Sequence, residues 1–177
     1  MRLPRQLSTT RLLLRPLGDG DVHDLFATYA QDPQVTRYMT WRPHQDLDET
    51  RRYVQSCADT WASGVAAPWG VFTRATGELI GSEELRIKTS RASLGYLLAR
   101  AHWGQGYATE AVATVIAWAL DQPKLFRVWA VCDVDNQRSA RLLQRVGMQR
   151  EGILRRWIVH PNISEEPRDC YCYARTR

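Results

Sequence analysis

Apolar and polar positions along this chain alternate, fall into helical spacing, and alternate again, and each switch marks an element boundary. "TTRLLLRPL" (9–17) reads as a first strand, ended by Pro16 and the turn from Gly18 to Asp21. Asp21 is placed to cap a helix to about Gln31, with Val22, Leu25, Phe26 and Tyr29 on one face. "DPQVTRYMTWRP" (32–43) is an aromatic connection with room for one helical turn. Asp46 and Glu49 have the spacing of a capping box, opening a helix to Ser63 that Gly64 ends. The period then shortens: "WGVFTR", "LIGSEELRI" and "ASLGYLLAR", separated by short turns, predict three antiparallel strands. Ala108, Val112, Val115, Ile116 and Ala119 follow as one helical stripe, and "LFRVWAVCDV" (125–134) is the nearly unbroken apolar run of an interior strand. Asn136 to Val146 predicts an amphipathic helix with Gly147 at its end, and "MQREGILRRWIV" with "RDCYCYAR" closes the chain as a hairpin. The predicted order is β-α-α-β-β-β-α-β-α-β-β, with about seven strands and about four helices.

A chain of 177 residues that is 44% hydrophobic can bury one sizeable core, so one domain over residues 1–177 is expected. The N-terminus lacks the apolar run of a signal peptide, and Cys57, Cys132, Cys170 and Cys172 have no metal-ligand spacing. A reduced, cytoplasmic protein is expected, with no membrane and no metal; Cys170 and Cys172 with His160 would lack further zinc ligands. The net charge of +5 sits in the C-terminal part, where nine arginines from Arg138 onward face four acids. Such a region suits a polyphosphorylated cofactor, a nearby RNA or ribosomal surface, or nothing specific, reflecting arginine usage alone. With no basic run and no RNA-recognition signature, direct nucleic-acid binding is not expected.

"AHWGQGYATEAVATVIAWAL" (101–120) sets two glycines just ahead of the long helical stripe. A Walker loop would need Gly-Lys-Ser/Thr, and a dinucleotide fingerprint a third small residue where Thr109 stands. What remains is a strand, a loop whose N–H groups can turn inward, and a helix N-terminus suited to a phosphate. A plain strand-to-helix connection without ligand is the competing reading.

"GYLLARAHWGQGYATEAV" followed by "CDVDNQRSARLLQRVGMQREG" resembles the acyl-CoA-binding core of the GNAT superfamily of N-acetyltransferases. The opening "TTRLLLRPL", the loop "VTRYMTW" and the ending "RDCYCYARTR" are similar to its RimJ/RimL-like branch, the ribosomal-protein N-terminal acetyltransferases. The resemblance implies an α/β (α+β) fold with a mixed, mostly antiparallel twisted sheet. The superfamily's Gln/Arg-x-x-Gly-x-Gly/Ala loop maps to Trp103-Gly104-Gln105-Gly106-Tyr107-Ala108, departing at Trp103. By resemblance, Gln105 to Thr109 hold the pyrophosphate of acetyl-CoA, Leu97 and Leu98 present backbone groups to the acetyl-pantetheine arm, Asn136 contacts pantetheine and Ser139 lies near the thiol. Asn136 also stands where a helix starts, so its plain role is an N-cap.

Acetyl transfer to an amine needs a neutral amine, a donor for the developing oxyanion and an exit for the thiolate. A backbone N–H near Leu98, on a strand that splays or bulges, suits the oxyanion. Many superfamily members carry a Tyr acid on the second core helix; the matching residue here is Leu143, which leaves Ser139 or a water as the proton donor. For the base, Glu83 and Glu84 are neighbours on one strand, so only one can face the cleft. Glu84 is favoured because Leu79, Leu85 and Ile87 share the face of Glu83; His102 and His160 are lesser candidates. Tyr38, Met39 and Trp41 border the acceptor site by resemblance, or pack as core beneath the first helices. The acceptor expected is a protein N-terminal α-amine, with a small-molecule amine as the alternative, and a CoA-binding sensor without chemistry behind both. The final strands can pair across a homodimer.

Overall fold

A computed structural model of the protein describes residues 3–177. Its strands are β1 (Leu7–Ser8), β2 (Leu12–Arg15), β3 (Ala66–Thr73), β4 (Leu79–Lys88), β5 (Arg91–Leu98), β6 (Arg127–Asp133), β7 (Gln149–Ile158) and β8 (Arg168–Thr176). The helices are α1 (Val22–Leu25), α2 (Pro33–Thr36), α3 (Leu47–Ser63), α4 (Tyr107–Asp121) and α5 (Gln137–Arg145). All eight strands form one sheet in the order β1-β2-β3-β4-β5-β6-β8-β7. Every pairing is antiparallel except β5 with β6.

The eighth strand, β1, lies just ahead of the first apolar run, which itself contributes only β2. The Thr9 hydroxyl accepts the Leu12 N–H at 2.8 Å, tightening residues 9–11 into a turn so that β1 folds back on β2. Asp21 does not cap the first helix from outside. It lies in a 3₁₀ turn (Asp19–Asp21), and its carboxylate reaches back to the Gly18 N–H and to Arg15, both at 2.8 Å. α1 then continues as a π turn (Phe26–Ala30). The Asp46 carboxylate does cap α3 through the Glu49 N–H at 2.8 Å, but Glu49 reaches back one residue further than a capping box, to the Gln45 N–H. Gly64 ends α3 at φ 69°.

The sheet separates two apolar layers. Leu12, Leu14, Trp69, Val71, Leu85 and Leu94 pack beneath α4 and α5, and Leu17, Phe72 and Leu79 pack with α1 to α3. Leu79 and Leu85 therefore lie on opposite faces, against simple alternation. The cause is a bulge: Val71 pairs with Gly81 and Phe72 with Leu79, so Ile80 is one extra residue and the pattern shifts by one. β6 is interior as its sequence predicts, with Val128 and Ala130 buried between β5 and β8. β7 is the outer edge and carries exposed Ile153 and Trp157.

Candidate active site

β5 and β6 run parallel for only three pairs, Arg91 with Arg127 through Ser93 with Trp129. Beyond Ser93, β5 stays bonded to β4 as far as Leu98, and β6 stays bonded to β8 as far as Asp133. The two strands consequently splay, and a cleft of about 1370 Å³ opens at the split. The Ala99 N–H is bonded to the Ile80 carbonyl on β4 at 2.8 Å. Strand hydrogen bonding alternates, so the Leu97 backbone turns toward β4 and the Leu98 N–H points into the wedge. The Leu98 carbonyl on that side accepts the Trp103 indole N–H at 2.7 Å.

The glycine turn forms the next stretch of the cleft. Gly104 (φ 78°) and Gly106 (φ 81°) hold left-handed conformations that other residues adopt at a cost. A Cβ at Gly104 would meet no atom within 4 Å, so this turn is not drawn in for packing. α4 begins at Gly106 without a side-chain cap, and Tyr107, Ala108 and Thr109 line the cleft at that start. Uncapped N–H groups on a fifteen-residue helix are ready donors for an anion. Arg11 and Glu110, which no sequence motif singles out, fasten this turn: Arg11 donates to the Gln105 carbonyl at 3.1 Å and pairs with Glu110 at 2.7 Å. Gln105 itself turns away from the cleft, donating its amide to the Ala101 carbonyl at 2.9 Å.

Across the wedge, Asn136 caps α5 by accepting the Ser139 N–H at 3.2 Å, as its place in the sequence predicts. The Ser139 hydroxyl lies 2.7 Å from the phenol of Tyr96 on β5, and both line the cleft. Sequence reasoning missed Tyr96 because it looked for a tyrosine on the helix, where Leu143 is fully buried in the core. Arg138, Arg141 and Arg145 also line the cleft, and the Arg138 guanidinium stands 4.5 Å over the Trp103 ring. Trp103 thus replaces a polar loop side chain with a lock on β5 and a seat for a cation. The lining acid on this side, Asp135, is held by Arg168 at 2.6 Å.

The remaining wall comes from α2 and its exit, with Arg37, Tyr38 and Met39, and from Asn162 and Ile163. The Asn162 amide donates to the Thr36 and Trp41 carbonyls at 2.7 and 2.8 Å, tying the two segments together. Trp41 contributes only through that carbonyl; its ring packs against His44, 5.1 Å between centroids. Behind this wall His160 is buried, 3.8 Å from the fully buried Asp133. Burial pushes His160 below its ordinary value, against the pull of Asp133. Burial alone would raise Asp133, but hydrogen bonds from Arg168 and the Asp135 N–H hold it below the usual carboxylate range.

Neither glutamate predicted for this site is among the residues that line it. By simple alternation Glu83 shares the face of Leu85, between its cross-strand partners Trp69 and Tyr96, while the Ile80 bulge moves Leu79 off that face. It is 2% exposed, neither oxygen has a hydrogen-bond partner among the described residues, and burial raises its pKa well above the usual value. Glu84 faces the opposite way, paired with Arg86 at 2.7 Å. His102, at the cleft rim, contacts Glu78 at 3.2 Å.

Residues 11–149 match the acetyltransferase (GNAT) domain family. The chain is 34% identical over 155 residues to the uncharacterized N-acetyltransferase YoaA of Bacillus subtilis, covering 86% of this chain and 87% of that one. It is 26% identical to the [ribosomal protein uS5]-alanine N-acetyltransferase of Escherichia coli, over 87% of this chain and 83% of the relative. Among solved structures, RimL, a ribosomal L7/L12 alpha-N-protein acetyltransferase in complex with coenzyme A, superposes with a TM-score of 0.84 at 23% identity, covering 95% of both chains. That last likeness is one of fold.

Proposed function

The chain belongs to the acetyltransferase (GNAT) family, and on that premise we propose that it transfers acetyl from acetyl-CoA directly to the N-terminal α-amine of a protein or peptide. The observation that carries the reading is the β5/β6 wedge, which gathers the Leu98 N–H, the uncapped α4 start and the Ser139 hydroxyl around one cleft. In this reading the pyrophosphate of acetyl-CoA lies against Gly104 to Thr109, and Arg138, Arg141 and Arg145 supply countercharge. Asn136 borders the pantetheine arm. The Leu98 N–H stabilises the oxyanion as the amine attacks, and the Ser139 hydroxyl attends the departing sulfur.

The acceptor amine enters past Tyr38, Met39 and Asn162. An α-amine has a pKa of about 7.7–8.0 and is roughly a tenth neutral at pH 7, whereas a lysine amine near 10.4 is neutral about once in a few thousand molecules. A wall without a free carboxylate base suits the first substrate far better. The name of the Escherichia coli relative supports the same acceptor class. Four free cysteines among the described residues suit a reducing compartment, and we infer a cytoplasmic protein.

Calorimetric titration with acetyl-CoA, followed by thiol release over peptides beginning with Ser, Ala or Met and a panel of small amines, tests this reading. Binding with turnover on peptides supports it. Turnover on small amines alone moves the acceptor class, binding without any turnover leaves a CoA sensor, and absence of binding removes the proposal.

A further inference from the structure

We propose that Tyr96 is a positioning residue: it donates its phenolic hydrogen to the Ser139 oxygen and so aims the Ser139 hydrogen at the thioester sulfur in the cleft. The inference rests on the acetyl-transfer reading above. A serine hydroxyl has one hydrogen and two acceptor sites, and left alone it rotates to suit its neighbours. At the start of a helix its usual resting place is a backbone group of the preceding turn. Here the oxygen is 2.7 Å from the Tyr96 phenol, so one of the two must donate to the other. A phenol is the more acidic of the two and the stronger donor. Burial pushes the Tyr96 phenol further up, against the pull of Ser139, so it keeps its hydrogen across the ordinary pH range. The Ser139 hydrogen is then released from Tyr96 and free to point outward, and a donor that is itself receiving a hydrogen bond is strengthened.

The arrangement sits at the splay. Tyr96 is three residues past the last β5/β6 pair, beside the wedge, and its side chain is on the sheet face that α4 and α5 cover. It precedes Leu98 by two positions, so the two side chains share one face of the sheet and the two backbone N–H groups share the edge that turns toward the wedge. One strand thereby serves both charges that develop in acyl transfer, the oxyanion through Leu98 and the sulfur through Tyr96 and Ser139.

In the transfer itself, the amine nitrogen bonds to the acetyl carbon and the carbon–sulfur bond breaks with its electron pair going to sulfur. The sulfur is held by the Ser139 hydrogen bond, and the proton shed by the amine balances the thiol through water. Neither hydroxyl is left ionised. A thiol of pKa about 8.5 leaves as thiolate, for which a charge-assisted hydrogen bond is sufficient help.

The test uses the full chain with Tyr96→Phe, which keeps the ring, Ser139→Ala and the double variant. Coenzyme A is the probe: calorimetry gives its Kd, and thiolate absorbance in the ultraviolet gives the pKa of the bound thiol. The expected result is a Kd within about twofold of wild type and a bound-thiol pKa raised by about one unit in each single variant, with no further rise in the double. On a peptide acceptor, kcat falls about tenfold in Tyr96→Phe with the KM for acetyl-CoA little changed, and Tyr96→Phe adds nothing once Ser139 is Ala. A wild-type thiol pKa in Tyr96→Phe, or effects that add in the double variant, overturns the proposal while CoA binding stays intact. Loss of CoA binding in the wild-type chain is a different result: it removes the acetyl-transfer reading and this inference with it.

Discussion

From Leu98 to Thr109, one wall of the cleft is built by consecutive residues acting through their backbone: a strand end, a two-glycine turn and a helix start. The opposite wall joins the segment after α2 to Asn162, whose two hydrogen bonds span 126 and 121 residues of sequence. The first wall is local and presents mainly backbone groups, with Trp103 bonded to the Leu98 carbonyl. The second exists only when distant side chains meet, and it is where acceptor specificity resides in the proposed reaction.

The largest separation of the two walls should come from Gly106→Val. A β-branched residue at φ 81° is strained by about 1–3 kcal/mol, and its Cβ would press Arg11, whose nearest atom is at 3.4 Å. Acetyl-CoA affinity is expected to fall at least tenfold by calorimetry; a wild-type Kd in a folded variant would mean that this turn does not hold the cofactor. Asn162→Ala is the converse. Losing two hydrogen bonds should raise the acceptor KM about tenfold while the acetyl-CoA Kd stays within twofold. Equal damage to both constants would show that the walls are not separable.

A smaller effect is expected for Arg138→Ala, which removes a cation from the cleft and from the face of Trp103. Acetyl-CoA should bind about three- to tenfold more weakly at low salt, and the difference should shrink as salt is added. A salt-independent loss would point to packing instead of charge.

Glu83→Gln separates the site from the core beneath it. The folded-state pKa of Glu83 is raised, so the native chain keeps a proton that the unfolded chain loses above about pH 4.5. Its contribution is therefore favourable below that pH and is lost as pH rises toward the raised folded value. Glu83→Gln should flatten the decline and melt a few degrees higher than wild type at about pH 8, with little gain at about pH 4. If the variant instead melts lower at both pH values, Glu83 is a stabilising ionised group with a partner in solution.

The glutamates show where sequence reasoning was limited. Alternation correctly placed Glu83 and Glu84 on opposite faces, but it assigned Leu79 to the face of Glu83, because an extra residue at Ile80 leaves no mark in the hydrophobic pattern. Tyr96 was legible as a strand residue and illegible as a functional one. Its meeting with Ser139 depends on how α5 packs on the sheet face that Tyr96 shares, which no local spacing records. β1 has no sequence mark for a similar reason: it is two residues ahead of the apolar run, folded back on β2 by a turn that one hydroxyl, Thr9, tightens.

By itself the sequence determined the order of elements from β2 onward, the interior position of β6, the Asn136 cap and the glycine turn that opens α4. Those features follow from spacing and backbone freedom within a few residues, where propensity and periodicity act. The tertiary structure alone decided that neither glutamate reaches the cleft, which hydroxyls meet across the wedge and which segments face the acceptor. Those outcomes depend on strand register, splay and contacts between residues far apart in the chain, and a single bulge or divergence changes them without altering the local pattern.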